Sequence, residues 1–254
     1  MIFGLDFPPV SHAIEWKDLF LSGDLAVNKV ILLMWLSVIL IIGFFMIASS
    51  DKAIVPKGVK NIAEMTIDFI QEGIIMQTMG PAGLRYTPLF VSFFSFILLN
   101  NLWGIIPGAQ MPVNARMALP LFMALLVWVI FMVVGIMKQG PIGYFKNIAF
   151  PPGVPKALYI LVTPIELVSV ILVRPLSHSV RLFANALAGH LILISFATIT
   201  AALWSLAPTL VIFPFSFGLL VALTGFELLV AFLQAYIFTI LAAVYIDSSI
   251  HAAH

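Results

Sequence analysis

The stretch "RPLSHSVRLFANALAGHLILISFATITAALW", Arg174 to Trp204, decides how this chain is built. It contains no polar turn, and the apolar run reaches back to Lys156. A helix rising about 1.5 Å per residue crosses a hydrocarbon core of about 30 Å in roughly 20 residues. The run is therefore far too long to cross upright. A second run of similar character covers 209–247, after the loop signal "LAPT". Either each run breaks into two spans, or each is one steeply tilted helix. Pro164 and Pro175 can kink the first run, but proline does not force a chain reversal inside a membrane. Two long, tilted, antiparallel helices are expected.

Composition supplies the solvent. The chain is 62% apolar and only 9% charged, over 254 residues, whereas a soluble domain is about 45–50% apolar and about 25% charged. Such a chain cannot cover one core with a charged surface, so its surroundings are lipid. The expected class is an all-α integral membrane protein forming a single membrane domain over 1–254. Lys and Arg together number 12 against 11 acidic residues, so charge points to no nucleic-acid partner. With no cysteine, disulfides, thiolate metal sites and cysteine catalysis are excluded. The N-terminus lacks a basic region followed by an apolar run and reads as a short amphipathic arm rather than a cleaved signal.

Working outward, the first span is expected over 27–49. Over 57–79, Lys60, Glu64, Asp68 and Glu72 recur every four residues, with Ile62, Met65, Phe69 and Ile70 on the other side of a helix. That segment reads as an interfacial amphipathic helix. Segments 88–108 and 118–138 form a helical hairpin about "MPVNARM". The long helices follow over 156–204 and 209–247. Lys52, Lys57, Lys60, Arg85, Lys138, Lys146 and Lys156 would share one side, and Lys17, Lys29 and Arg116 the other. The majority basic side is cytoplasmic, which puts the N-terminus outside and the C-terminus in the cytoplasm.

The opening stretch places charge where a span should have none. An arginine at a helix centre costs about 2.5–3.5 kcal/mol on insertion scales, and its guanidinium cannot neutralise. At about 100° per residue, Arg174, His178, Arg181 and Asn185 fall within roughly 60° on one face, while His190 points nearly opposite. On the final helix Glu227 and Gln234, seven apart, share a face. Intramembrane Glu, His and Arg together mark a proton pathway. Structural readings stand beside this one. Arg174 can pair with Glu166, and His178 can be a packing residue. His190 and Glu227 can form a self-neutralising pair. Asn100, Asn101 and Asn185 can be interhelical hydrogen-bond glue. Arg181 has no acid on its own face and implies a carboxylate supplied from elsewhere.

"SVRLFANALAGHL", followed some way on by "GFELLVAFLQAYIFTILAAVYI", resembles subunit a of the rotary F-type ATP synthases over roughly 88–247. "NNLWGIIPG" is similar to the family's segment before its first hairpin turn. The resemblance implies that Arg181 is the essential arginine, Asn185 the asparagine of the same motif, and Gln234 the glutamine facing the arginine. His190 and Glu227 match two polar half-channel positions, with acid and imidazole exchanged relative to some members. Ala184 stands where many members have glycine.

The implied activity is proton translocation through two offset half-channels to the carboxylates of a c-ring, against which the long helices pack. The implied partners are c-ring proteolipids, peripheral-stalk b-type subunits, the remaining synthase subunits and membrane lipid. The implied location is a bacterial plasma membrane, with a mitochondrial inner membrane as the alternative. No cofactor and no metal are expected. The resemblance implies a non-catalytic subunit, and without a phosphate-binding loop the chain cannot bind ATP by that route. Two rivals differ in class. A secondary transporter would show repeat halves around a midplane site, and an intramembrane lipid-phosphate enzyme could use Arg174 and Arg181 on a phosphate.

Overall fold

The computed structural model describes residues 27–50, 56–106, 108–109, 111–150, 155, 158–205 and 211–250. The expected N-terminal arm, Lys17, Lys52, Lys156 and the whole of "LAPT" lie outside the described residues. The described secondary structure is helical: α1 Lys29–Ser50, α2 Val59–Ile70, α3 Thr87–Leu102, α4 Ala118–Gln139, α5 Pro141–Ala149, α6 Tyr159–Val168, α7 Arg174–Ser205 and α8 Phe213–Ile250. A π-helical segment Gln71–Ile75 continues α2, and a second, Ser169–Val173, joins α6 to α7. Backbone groups in hydrocarbon must be satisfied within the segment, and helices achieve this. Among the described residues five stretches are long and apolar enough to cross a bilayer: Lys29–Ser50, Pro81–Leu102, Ala118–Gln139, Tyr159–Trp204 and Phe213–Ile250. This is an all-α, multi-pass membrane protein.

The two C-terminal stretches run for 46 and 38 residues. At about 1.5 Å per residue they extend roughly 70 and 57 Å, about twice the hydrocarbon thickness. Between α4 and α5, Gly140 adopts φ 74°, and its N–H closes the helix on the Ile136 carbonyl. Pro141 then starts α5 with its ring in the first turn, where no N–H is needed. The sequence reading had no helix at α5. Tyr144 on that helix is buried, which raises its phenol above the ordinary 10.0, with the Arg174 charge opposing.

Packing divides the chain into two compact units. The first comprises Met1–Ile42, Phe96–Arg116 and Phe183–Ala235. Its interior is tied by polar groups, each of which would cost several kcal/mol if buried unmatched in lipid. The Ser37 hydroxyl lies 3.0 Å from Asn100 Oδ1 and accepts the indole N–H of Trp103 at 2.7 Å. Lys29 donates to the Gly108 carbonyl at 2.8 Å. The segment expected as helix over 88–108 stops at Leu102, and Trp103 to Ile106 turn back. The reason lies in the anchors: Trp103 is held by Ser37, and Met111, Val113, Asn114 and Ala115 are all buried.

The second unit comprises Gly43–Ser95, Met117–Leu182 and Tyr236–His254. Its core is aromatic. Phe69 meets Phe94 and Tyr236, Phe93 meets Phe238, and Phe131 meets Tyr245. The Trp128 indole donates to the Val170 carbonyl at 3.1 Å, and Gln139 donates to the Ser249 carbonyl at 2.8 Å.

Candidate functional site

In the second unit the π turn sets the register of the charged residues. Eight residues of α-helix rotate by about 800°, leaving Glu166 and Arg174 about 80° apart. A π turn absorbs one extra residue and removes about 100° of that rotation, which brings the two side chains to one side. Arg174 Nη2 lies 3.3 Å from Glu166 Oε1, and its guanidinium sits 5.4 Å from the centre of the Tyr245 ring. Arg174 is thus satisfied within its own unit, by the structural alternative the sequence left open.

His178 is buried, with its ring centre 3.9 Å from that of Phe238 at 77° and 5.8 Å from Tyr245. Neither ring nitrogen has a hydrogen-bond partner among the described residues. The face expected to run Arg174–His178–Arg181–Asn185 therefore splits. His178, about 60° from Arg181 around the axis, turns into the aromatic core, while Arg181 and Asn185 are exposed.

The uncovered side of α7 carries Ser177, Val180, Arg181, Ala184, Asn185 and Ala188. Leu182 and Ala186 point inward and are buried. No carboxylate among the described residues lies within ion-pairing distance of Arg181. Its immediate neighbours on the exposed side are small, so an approaching helix could come close to the guanidinium.

In the first unit, the Asn185 amide donates to Gln234 Oε1 at 2.7 Å, joining α7 to α8. Gln234 is buried at 4% exposure, so this bond satisfies a carbonyl that water does not reach. One face-turn earlier on α8, half-buried Glu227 lays its carboxylate against the backbone of Gly189. Gly189 directly precedes His190, which is itself buried. Asn101 accepts the Asn114 amide at 2.8 Å and reaches the Ala231 carbonyl at 3.5 Å. Asn100 donates to the Phe96 carbonyl and receives Ser37. Farther along the two helices, the Thr200 and Ser216 hydroxyls meet at 2.8 Å.

The sequence reading missed Gly189, Asn114, Ser37 and the Thr200–Ser216 pair. For Gly189 a signal existed, because glycine inside a helix costs about 1 kcal/mol relative to alanine and calls for a packing reason. For the others, only the fold brings the partners together.

Known proteins extend these observations. The profile of the family described as ATP synthase A chain matches residues 31–247. ATP synthase subunit a of Frankia alni is 39% identical over 94% of this chain and 84% of its own length. The Streptomyces lividans protein of the same name is 38% identical, over 99% and 90%. That of Rhodopseudomonas palustris (strain BisB5) is 39% identical, over 96% and 98%. A match running through the first span, both long helices and every polar group above leaves one assignment: the chain belongs to the ATP synthase A chain family.

Proposed function

We propose that this chain, a proton-translocating membrane subunit of an F-type ATP synthase by its family, provides two offset half-channels to the carboxylates of a rotating c-ring, separated by Arg181. The observation that carries the proposal is the exposed Arg181 on a span, without a carboxylate partner among the described residues and with small neighbours. Left facing lipid, such a cation costs about 2.5–3.5 kcal/mol. A carboxylate brought by a partner helix removes that cost.

The chemistry follows from the charge. A proton arriving from outside neutralises a ring carboxylate, which can then face lipid. When the ring returns that site to Arg181, the guanidinium stabilises the ionised carboxylate and the proton leaves on the cytoplasmic side. The same permanent cation blocks leakage, because it repels hydronium and offers no site for a passing proton. Each charge crossing contributes about 2.3 kcal/mol per 100 mV. Several transfers per turn are therefore needed to drive phosphorylation elsewhere in the complex.

The proposed outer path runs by His190 and Glu227. Support comes from Glu227 resting on Gly189, which places the acid at the level of the residue before the imidazole. In this reading Gln234 and Asn185, bonded to each other, present neutral polarity beside the ring site. The partners are the c-ring, b-type stalk subunits and the remaining synthase subunits. The orientation has the N-terminus outside and the C-terminus in the cytoplasm, of a bacterial plasma membrane.

The test is substitution of Arg181 in the assembled complex. Arg181→Ala abolishes ATP-driven proton pumping in inverted vesicles. Arg181→Lys also fails, since an ammonium can lose its proton when desolvated and lacks the planar fork. Normal coupled pumping in the lysine variant overturns the proposal.

A further inference from the structure

The spanning candidate α4 ends at Gln139, and α5 begins at Pro141. A helix of 9 residues is only about 14 Å long and cannot cross the hydrocarbon core. Contacts along one side hold it against the end of the span. Gly135 leaves the space that the Tyr144 ring fills, since a Cβ there would overlap the ring. The Tyr144 hydroxyl donates to the Met132 sulfur at 3.4 Å. The Asn147 amide donates to Gln139 Oε1 at 2.8 Å, and Gln139 donates in turn to the Ser249 carbonyl on α8. All of these residues belong to the second unit.

The opposite side of α5 is open. At about 100° per residue, Ile142, Phe145 and Lys146 fall within about 100° of one another, and Tyr144 points the other way. Ile142 is 84% exposed and Phe145 46%. Lys146 is exposed too, as is Lys138 in the last turn of α4. The Asn147–Gln139 bond joins the residues next to these two lysines, so their backbones are held close. No acidic residue occurs from 118 to 150. Neither lysine has an ion-pair partner among the described residues.

This combination of charge and apolar surface sits where a span leaves the hydrocarbon. Left in water, Ile142 and Phe145 would forfeit their burial. A lipid layer at this depth takes up both side chains, while the flexible lysine stems carry their ammoniums to the headgroups. Cations beside a membrane surface favour an anionic layer by about fivefold per lysine.

We infer that α5 is an interfacial foot that binds anionic phospholipid, with Ile142 and Phe145 among the acyl chains and Lys138 and Lys146 on the phosphates. Each ammonium has three N–H donors for phosphate oxygens. A zwitterionic lipid offers the same phosphate, but its own cation opposes the lysines, so net negative charge is selected. The inference needs only the membrane-spanning fold and is independent of any path through Arg181. Because Gln139 also holds the end of α8, the bound lipid would fix α4 and α8 at one depth.

The experiment uses the whole purified synthase in phosphatidylcholine nanodiscs doped with phosphatidylglycerol carrying a diazirine near the top of one acyl chain. After irradiation, label is mapped by peptide mass spectrometry and expressed relative to the label on α1. The expected label concentrates on residues 137–150. Unlabelled phosphatidylglycerol removes it, and the same amount of zwitterionic phosphatidylethanolamine does not. In assembled complexes, Lys138→Gln with Lys146→Gln lowers it at least about tenfold, whereas Lys138→Arg with Lys146→Arg keeps it. Label absent from 137–150, as when another subunit covers α5, overturns the inference. So does equal competition by the two lipids, or label unchanged in the double glutamine variant.

Discussion

The Glu227 carboxylate occupies the space where a side chain at Gly189 would begin. A Cβ built on Gly189 would overlap both carboxylate oxygens and the carbon between them. The acid therefore has its present place only because residue 189 lacks a side chain. Gly189→Ala should push Glu227 off that seat without loss of complex assembly. ATP-driven proton pumping should fall at least about tenfold, equivalent to about 1.4 kcal/mol of barrier. Pumping at the unsubstituted rate in an assembled Gly189→Ala complex would detach Glu227 from the proton path.

If His190 and Glu227 act as one relay, they titrate as a unit. His190→Glu and Glu227→His each bring like groups together and should slow acidification of inverted vesicles. The double exchange restores one acid and one imidazole, so it should recover a substantial part of the rate. A double variant no better than the worse single leaves the two residues with separate roles.

Removing the donor of the Asn185–Gln234 bond strands a buried carbonyl. Asn185→Ala should destabilise the complex by about 1–3 kcal/mol, the cost of an unsatisfied buried polar group. Asn185→Ala combined with Gln234→Leu should regain most of that stability but not proton flux. The measurements are thermal denaturation of the purified complex and vesicle pumping. Full flux in the double variant would remove both amides from the mechanism.

Arg174 should be dispensable where Arg181 is not. Its charge is met by Glu166 and by the Tyr245 ring. Arg174→Gln can keep a hydrogen bond to Glu166 and should pump. His178→Ala, which opens a gap against Phe238, should lower flux modestly. Complete loss of pumping in assembled Arg174→Gln would show that the essential cation is Arg174.

Sequence pattern carried the parts of the fold that one segment decides alone. The apolar runs gave the spanning class, because lipid permits little besides a helix in a run of that kind. The spacing of Glu227 and Gln234 put them on one face, and the missing acid near Arg181 was visible from spacing alone. Features made by two segments were not legible. Trp103 ends its helix early because Ser37, on another helix, takes its indole N–H. His178 left the Arg181 face because Phe238 and Tyr245 offered an aromatic wall. The π turn at Ser169–Val173 was equally hidden, since nothing in "SVILV" distinguishes it from ordinary α-helix.

That π turn stores one surplus residue in the middle of the longest helical stretch. Deleting a single residue there would let the backbone relax into plain α-helix with both sides still in phase, whereas closing the turn with every residue kept would rotate everything before it by about 100° relative to everything after. The deletion would leave Glu166 beside Arg174 and the closure would part them, while the order of groups from Arg181 onward would be untouched by either. The stretch is thus indexed in two halves, joined by a slip coupling. The half that ends at Val168 can be re-phased against its neighbours without disturbing the alignment of the half that begins at Arg174.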